Sequence, residues 1–566
     1  MVSRARVDSR SRSPALTPWF YDWKYVALLL VILITLAVRV RLLELPLERD
    51  EGEYAYMGQL ILQGVPPYAV AYNMKLPGTY AAYALVMAVF GQTIWGIHMG
   101  LLVINAATVA LVALLGKRVF DPFTGAVAGA TYAVLSVNPT VLGLAAHATH
   151  FVVLPALGGV LLLLQAVDSG RRMTFFLSGL LLGLAFLMKQ PGIFFTIFAV
   201  LYLVWTQARQ HRWEWKDFLV IIAWFSAGCT LPVLGTLLAL WLLGVFEKFW
   251  FWAVAYAVQY GSRVTIPTGA QLLMLIFPRV VGPFAWLWVA AGVGLLTPVW
   301  DRAARTRAAL VIGFLLFSVA SVSTGLYFRS HYFILMLPAM ALLVGMAVSA
   351  LGRLPLGHTR SLTLGSLPFI LYLLAIAFPL AKERALWFHA APNEVSRQLY
   401  GANPFPESLE IARYIKAHST PRHQIAVFGS EPQIYFYAER RSATGYIYTY
   451  SLVEEQRYAL QMQQEMIREV EQAEPEFLVL VNVQTSWLVG PRSERRIFAW
   501  VKEYAAKHYH PVGLVEIPGT RPTVYRWGID VNGYAPKTPF FVYVLRRNGP
   551  RESALERGGR QGGSRL

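Results

Sequence analysis

The chain of 566 residues contains a single cysteine, Cys229, which lies inside an apolar run. Disulfide frameworks and cysteine-based metal sites both need more than one thiol, so the sequence excludes both kinds of site. Charged residues are also scarce: they make up 14% of the chain, whereas hydrophobic residues make up 56%. Soluble domains carry about 25% charged residues, and this composition is therefore typical of a polytopic membrane protein.

Acidic residues are the scarcer of the two charged classes. The chain has 32 Asp and Glu residues against 50 Lys and Arg residues, and its formal net charge is +18. In a membrane protein an excess of basic residues first indicates topology, because cytoplasmic loops retain Lys and Arg. Nucleic-acid binding is only the second interpretation of such an excess, and we expect no nucleic-acid partner.

Long apolar segments predict the first domain, a polytopic α-helical membrane domain. About eleven segments have the 15–25 residues that a bilayer span requires. A further short apolar helix, 79–90, is predicted to lie at the membrane interface. The predicted spans are 20–43, 95–116, 123–139, 148–167, 174–188, 191–206, 218–244, 279–298, 308–324, 332–350 and 362–381.

The distribution of charge predicts the topology of these spans. The chain begins with a basic segment, 1–24, and no small-residue cleavage site follows the first apolar run, so we expect an uncleaved helix with a cytosolic N-terminus. With that orientation the inner connections hold seventeen basic and seven acidic residues, as the positive-inside rule requires. The first outer loop, 44–94, and everything after about residue 382 are then predicted to lie outside the cell membrane.

The composition changes to that of a soluble α/β domain after the last span. Strands are predicted at 424–429, 476–483 and 540–547, and helices at 403–418, 452–473 and 493–509. The Gly-Ser-Glu junction after the first strand lacks G-x-G-x-x-G and P-loop spacing, so an ordinary βα turn is favoured over an anion site. The predicted domains are 1–24 (cytosolic basic segment), 25–385 (membrane domain), 392–547 (extracytoplasmic α/β domain) and 548–566 (disordered tail).

The stretch 44–80, directly after the first apolar segment, carries the strongest chemical signal. Five carboxylates fall within ten residues there: Glu44, Glu48, Asp50, Glu51 and Glu53. Ionisable groups at the edge of a bilayer are costly unless they are solvated or functional. We predict that Asp50 is a catalytic carboxylate facing an outer cavity, with Glu51 as the second candidate, and that the other three acids lie in a solvated loop.

Basic and imidazole residues predicted near the outer surface could complete such a site. Cations that converge on a cavity with a carboxylate suit a phosphate leaving group. For any single one of them, snorkelling to the lipid headgroups is the alternative interpretation. The residues predicted to bind phosphate are Lys75, Lys189, Arg263, Arg329 and His331.

Four stretches together resemble one family. They are R-D-E-G-E-Y-A-Y-M-G-Q-L-I-L-Q-G from Arg49, K-L-P-G-T-Y from Lys75, F-L-M-K-Q-P around Lys189 and Y-F-R-S-H-Y-F-I-L-M-L-P around Arg329. They are similar to the PMT-type (family 39-like) membrane glycosyltransferases of the GT-C fold, which include protein O-mannosyltransferases and the lipid A aminoarabinose transferase. The resemblance covers roughly residues 20–381.

The resemblance implies an inverting sugar transfer from a polyprenyl-phosphate donor on the outer face. It implies that Asp50 is the general base and that Lys75 contacts the donor phosphate. The sequence departs from the family in two places. Leu76 replaces the first proline of a Lys-Pro-Pro-like turn, and A-H-A-T-H (146–150) stands where relatives often carry an acid. We therefore expect no cofactor, although a divalent metal stays open, and the acceptor can be a lipid, a glycan or a protein.

Two other functions stay open at this point. A transporter or flippase for a lipid-linked or anionic solute would also place charges inside the membrane, although it typically shows paired broken helices in two repeated halves. The break at Lys189 is the only such feature that the sequence indicates, and there is no internal repeat. An inactive relative that senses through its outer domain is the third possibility, because fold alone does not determine function.

Overall fold

The computed structural model describes residues 23–209, 215–354, 362–519, 521–531 and 533–549. A helical part extends to Lys382, and an α/β part with a six-stranded sheet follows it. This is the predicted order of the two parts. Residues 1–22 of the predicted cytosolic segment and all but two residues of the predicted tail lie outside the described residues.

Nine helices in the described ranges are long and apolar enough to cross a membrane, and three more apolar helices are shorter. Each of the eleven predicted spans overlaps one of these helices, but the number of crossings stays a prediction. The helices of this part are α1 Trp23–Arg41, α2 Arg49–Leu62, α3 Pro77–Phe90, α4 Ile94–Val119, α5 Pro122–Val137, α6 Ala148–Ser169, α7 Arg172–Met188, α8 Ile193–Arg209, α9 Trp215–Leu242, α10 Phe246–Trp250, α11 Ala257–Gly261, α12 Ile266–Val281, α13 Ala285–Leu296, α14 Arg302–Val322, α15 Leu337–Gly352 and α16 Leu362–Lys382.

The predicted spans 218–244 and 279–298 leave residues 245–278 as an outer connection, and this prediction is wrong in its second half, which is helical. The span predicted from residue 279 is preceded by α12, which starts at Ile266. Thr265 caps this helix by accepting a hydrogen bond from the backbone N–H of Thr268, and Pro267 follows in the first turn. Both are ordinary start signals of a helix. The aromatic stretch 246–261 is what remains of that connection, and it contains a π-helical turn between α10 and α11.

The sheet of the C-terminal part has the strand order β2-β1-β3-β6-β4-β5. Strand β1 pairs in parallel with β2 and β3, and the remaining pairs are antiparallel. The strands are β1 Gln424–Phe428, β2 Arg441–Ser442, β3 Phe477–Asn482, β4 Tyr509–Glu516, β5 Val524–Trp527 and β6 Phe541–Arg547. The helices are α17 Pro392–Tyr400, α18 Phe405–Ala417, α19 Gln433–Ala438, α20 Tyr450–Val453, α21 Ala459–Ala473, α22 Gln484–Trp487 and α23 Arg496–His508.

Three of these strands were not expected from the sequence. Strands β2 and β5 are too short to show an alternating pattern. Strand β4 contains Pro511 and Gly513, which resemble a turn in the sequence, and the structure places them at a register shift against β6. A bulge tolerates proline because the ladder hydrogen bond is already interrupted there. The predicted helix 452–473 is also divided, since α20 ends at Val453 and α21 begins at Ala459.

Helix α2 joins the two parts of the molecule. Its Gly52 packs so closely against α19 that a Cβ atom would lie 2.6 Å from the backbone nitrogen of Gln433. The hydroxyl of Tyr56 accepts a hydrogen bond from the backbone N–H of Ser442 at 2.8 Å. Arg49 forms a buried ion pair with Glu431 at 2.7 Å. The first turn of α2 is therefore held between the membrane helices and the sheet, and the candidate site lies at this turn.

Candidate functional site

A cavity of about 440 Å³ lies between the helical part and the α/β part. The start of α2, the turn before α3 and the segment before α15 form one side of it. The α/β part forms the other side. The lining residues used below are Glu48, Asp50, Asn73, Lys75, His147, Arg329, His331, Asn403, Tyr448, Tyr450 and Glu454.

Asp50 lies in the first turn of α2 and projects into this cavity. One carboxylate oxygen is 3.6 Å from Lys75 Nζ and accepts a hydrogen bond from the Tyr448 hydroxyl at 3.2 Å. The other oxygen is 3.9 Å from His331 Nε2. Burial by itself would raise the pKa of Asp50, but nearby positive charge, that of Lys75 first, holds the pKa below its usual value. The cavity therefore contains an ionised carboxylate.

Lys75 is held by a turn whose backbone is fixed from several sides. Its own carbonyl accepts a hydrogen bond from the Tyr68 hydroxyl at 2.6 Å. The preceding carbonyl, that of Met74, accepts one from the Gln190 side chain at 2.9 Å. Gln190 belongs to the Lys-Gln-Pro motif, so the structure assigns that motif a positioning contact. Burial opposes the charge of Lys75, yet Asp50 and Glu53 outweigh it and raise the pKa of Lys75.

The predicted solvated loop is wrong for two of its three acids. Glu48 is buried and caps α2, accepting the backbone N–H of Glu51 at 3.0 Å. Glu53 is fully buried and accepts hydrogen bonds from the Tyr80 hydroxyl at 2.6 Å and from Asn73 Nδ2 at 2.8 Å. Burial raises the pKa of Glu53 to about 7. Among the three, Glu44 is exposed as expected.

Glu51 points away from the cavity, into the interior of the helical part. Its carboxylate lies 3.0 Å from His98 Nε2 on α4 and accepts the backbone N–H of Ala146. Burial would raise the pKa of Glu51, but His98 and these hydrogen bonds lower it. The structure therefore separates the two neighbouring acids. Asp50 faces the cavity, whereas Glu51 lies where α2, α4 and the segment before α6 meet.

The four remaining predicted cations occupy different places. Arg329 and His331 line the cavity. Lys189 lies behind them with its ammonium 4.1 Å from the ring centre of Tyr332. Burial, with the charge of Lys75 as the second cause, lowers the pKa of Lys189 to about 7. Arg263 is not among the lining residues, and it pairs with Glu454 of the α/β part at 2.8 Å.

Among the residues that the structure describes, one group of side chains brings three candidate metal ligands together. The ligand atoms of Asp50, His147 and His331 all lie within 4.8 Å of one another. However, the two imidazole rings are stacked, with their centres 4.2 Å apart and their planes at 14°. An imidazole binds a metal through a lone pair in the ring plane, so parallel stacked rings do not converge on one ion. The nearby ammonium of Lys75 also disfavours a cation, and the residues as arranged fit a metal poorly.

Several lining residues come from the α/β part and were not predicted. Tyr448 reaches Asp50 although 398 positions separate them in the sequence. Asn403 and Tyr450 both bind the guanidinium of Arg49 at 2.9 Å. No local pattern marks these residues, because their role depends on how the sheet packs against α2. His147 is different, since the A-H-A-T-H segment already stood out.

Comparisons with known proteins agree with this architecture. Residues 75–235 match the family described as dolichyl-phosphate-mannose-protein mannosyltransferase. The chain is 31% identical over 177 residues to the undecaprenyl phosphate-alpha-4-amino-4-deoxy-L-arabinose arabinosyl transferase of Pseudomonas aeruginosa. That match spans 29% of this chain and 31% of the relative, less than a third of the relative's length.

Two solved structures are similar over most of the chain. The apo oligosaccharyltransferase of Archaeoglobus fulgidus superposes with a TM-score of 0.54 at 12% identity, covering 92% of this chain and 76% of that one. ArnT of Cupriavidus metallidurans bound to undecaprenyl phosphate superposes with a TM-score of 0.53 at 15% identity, covering 81% and 93%. Likeness at this identity shows the fold. The predicted resemblance is confirmed: the chain has a GT-C-like fold and is similar to membrane glycosyltransferases of the PMT and ArnT type.

Proposed function

We propose that the protein is an integral-membrane glycosyltransferase that moves a sugar from a polyprenyl-phosphate donor to an acceptor at the extracytoplasmic face. The observation that carries this proposal is the shared cavity of Asp50 and Lys75, whose charged atoms are 3.6 Å apart. A carboxylate can accept the proton of an acceptor hydroxyl, and adjacent cations can stabilise a departing phosphate. The acceptor is a lipid, a glycan or a protein.

The proposed reaction needs one base and one anion site. The acceptor oxygen attacks C1 of the sugar while its proton passes to Asp50. The bond between C1 and the phosphate oxygen breaks, and the electron pair leaves with the lipid phosphate, which Lys75, Arg329 and His331 face. Because the acceptor enters opposite the leaving phosphate, the configuration at C1 inverts. Glu51 is assigned a positioning role, since its contacts with His98 and Ala146 orient the turn that carries Asp50.

The cations around Asp50 also suit a base that becomes stronger when the donor binds. In the free protein they hold the pKa of Asp50 low, which makes the carboxylate ionised but weakly basic. A bound phosphate neutralises part of that positive charge, and the pKa of Asp50 then rises toward the range that favours proton transfer. Lys189 and Arg329, which act on Asp50 through their charge, contribute to this change.

An apolar groove beside the cavity supports a lipid-linked donor. It has a volume of about 390 Å³ and lies among α12, α13, α14 and α15. On α12, Leu272 and Ile276 line the cavity, whereas their neighbours Leu273 and Phe277 line the groove. A lipid chain could therefore leave the phosphate site directly into apolar surroundings. The undecaprenyl phosphate bound in the structure of ArnT supports the same class of carrier.

Substitution of the base tests this function. Asp50→Asn is expected to fold and bind donor but to transfer sugar at least about 100-fold more slowly, as loss of a general base does. Purified protein is incubated with undecaprenyl phosphate that carries either radiolabelled mannose or radiolabelled 4-amino-4-deoxy-L-arabinose. An envelope extract supplies the acceptor. Glu44→Gln, an exposed acid of the same loop, is the matched control. Undiminished transfer by Asp50→Asn would remove the mechanism, and solute flux without a new glycosidic bond would support the transporter instead.

The proposed location in the cell membrane needs a separate test. With Cys229 replaced by serine, a single cysteine introduced at the exposed Arg422 reports the side of the α/β part. We expect a membrane-impermeant thiol reagent to label it on intact spheroplasts. Labelling only after lysis would place the α/β part and the cavity on the cytosolic side.

A further inference from the structure

The hydroxyl of Tyr448 occupies a defined position on the proposed base. It donates a hydrogen bond to Asp50 Oδ1 at 3.2 Å, the same oxygen that lies nearest Lys75. Tyr448 belongs to the connection between β2 and α20, so this contact reaches across the cavity from the α/β part. An acceptor hydroxyl must come within about 2.6–3.2 Å of a carboxylate oxygen to transfer its proton. Tyr448 therefore stands where an acceptor would bind.

The backbone beside Tyr448 is held by hydrogen bonds of its neighbour Thr449, whereas the Tyr448 hydroxyl has a single partner among the described residues. The backbone N–H of Thr449 donates to Ser430 Oγ at 3.0 Å, and the Thr449 hydroxyl donates to the carbonyl of Ser486 at 3.3 Å. Within the described part of the chain, the Tyr448 hydroxyl makes no other hydrogen bond than the one to Asp50, and its side chain is half-buried. Displacement of the hydroxyl from Asp50 therefore breaks one hydrogen bond.

The hydroxyl of neighbouring Tyr450, unlike that of Tyr448, has two hydrogen-bond partners. It accepts a hydrogen bond from Arg49 at 2.9 Å and donates one to the carbonyl of Thr485. Two partners on different elements hold that ring in place. The ring of Tyr448 stands edge-on to it, with the centres 4.9 Å apart. The cavity wall therefore combines one fixed tyrosine with one that a ligand could displace.

We propose that the Tyr448 hydroxyl blocks the access of water to Asp50 until an acceptor displaces it, and we call this role the guard. This inference rests on the proposed glycosyltransferase function. Without the guard, water donates its proton to Asp50 and its oxygen bonds to C1 of the sugar. The bond from C1 to the phosphate oxygen breaks, and the products are free sugar and polyprenyl phosphate. Tyr448 thus selects transfer over hydrolysis, and the α/β part acquires a role in specificity.

Removal of one hydroxyl tests the guard. In Tyr448→Phe we expect the acceptor-free release of sugar from radiolabelled undecaprenyl-phosphate mannose or 4-amino-4-deoxy-L-arabinose to rise about five-fold, the factor that one hydrogen bond represents. Tyr448→Ala should release more, and the KM for the acceptor should fall in both. Tyr446→Phe, which loses a phenol in the same connection but outside the cavity, should keep the wild-type ratio of hydrolysis to transfer.

A second readout does not need turnover. Modification of Asp50 by a water-soluble carbodiimide and glycine ethyl ester, followed by peptide mass spectrometry, should be faster in Tyr448→Ala than in the wild type. Equal labelling rates, or transfer and hydrolysis that fall together in Tyr448→Phe, would overturn the guard. If the wild-type protein transfers neither sugar, the proposed function fails, and the labelling rates still decide whether Tyr448 shields Asp50.

Discussion

Lys75 Nζ lies 3.6 Å from Asp50 Oδ1, and the two side chains face one cavity from different elements. Charge-assisted hydrogen bonds between such groups are about 2.7–2.9 Å long, so this pair is looser than a closed ion pair. The ammonium therefore keeps donor capacity that an incoming phosphate can use. The carboxylate oxygen nearest Lys75 accepts a hydrogen bond from the Tyr448 hydroxyl, which an incoming acceptor would displace. We regard this open pair as the functional centre of the molecule.

Loss of the Lys75 charge should weaken donor binding. In Lys75→Ala we expect the KM for the polyprenyl-phosphate donor to rise by about 10-fold or more, because hydrogen bonds to charged groups contribute about 1.5–3 kcal/mol. Lys75→Arg should recover part of the loss because it keeps the charge. Initial rates over a series of donor concentrations measure this, with Lys416→Ala, an exposed lysine of the α/β part, as the control. An unchanged KM in Lys75→Ala would contradict phosphate binding by Lys75.

Lys189 should make donor capture depend on pH. Burial and Lys75 lower its pKa to about 7, so its charge is lost as the pH rises through that value. A phosphodiester stays anionic over this range, and kcat/KM for the donor should therefore fall from about pH 6 to pH 8. In Lys189→Arg the charge persists, and the profile should be flatter.

The dependence of kcat/KM on pH needs a control for Glu53, a second group that titrates in the same range. Glu53 also has a pKa of about 7, and the comparison should be repeated in the Glu53→Gln background. If Glu53→Gln alone and the double variant Glu53→Gln/Lys189→Arg show the same slope of kcat/KM against pH, Lys189 does not titrate in the free protein.

Glu53 should make thermal stability depend on pH. Burial raises its folded-state pKa from 4.5 to about 7, so the folded protein favours the protonated acid. The resulting stabilisation is full below about pH 4.5 and is lost as the pH rises through about 7. Glu53→Gln stays neutral throughout, and its Tm should exceed that of the wild type by about 2 °C or more at pH 8. Scanning fluorimetry in detergent measures this, and a Tm difference that does not change with pH would contradict it.

Activity should resist removal of divalent metals. The stacked rings of His147 and His331 do not converge on one ion, and Lys75 places positive charge beside Asp50. Sugar transfer measured after dialysis against EDTA should therefore equal that of untreated protein. A loss that one cation restores would show that the rings rearrange to bind it, and His147→Ala should then abolish the restoration.

Several groups that line the cavity could be predicted from the sequence because their signals are local. The predictions of long apolar helices, of basic inner connections and of a functional acid directly after the first span follow from the physics of a bilayer. The same holds for Lys75 in its Pro/Gly turn and for the Lys-Gln-Pro break. The strands β1, β3 and β6 were predictable as apolar runs, whereas β4 was hidden by its proline and glycine.

By itself, then, the sequence indicated that an acid and several cations lie at one edge of a helical membrane domain. Only the tertiary structure decided which groups meet. Successive residues of a helix point about 100° apart, so packing alone determined that Asp50 faces the cavity and that Glu51 faces His98. Packing within the helical part buried Glu53 against Tyr80 and Asn73. Packing of the α/β part against it paired Arg263 with Glu454 and brought Tyr448 to Asp50 from 398 positions away. Contacts between segments so distant in the chain depend on the whole fold, and no local pattern encodes them.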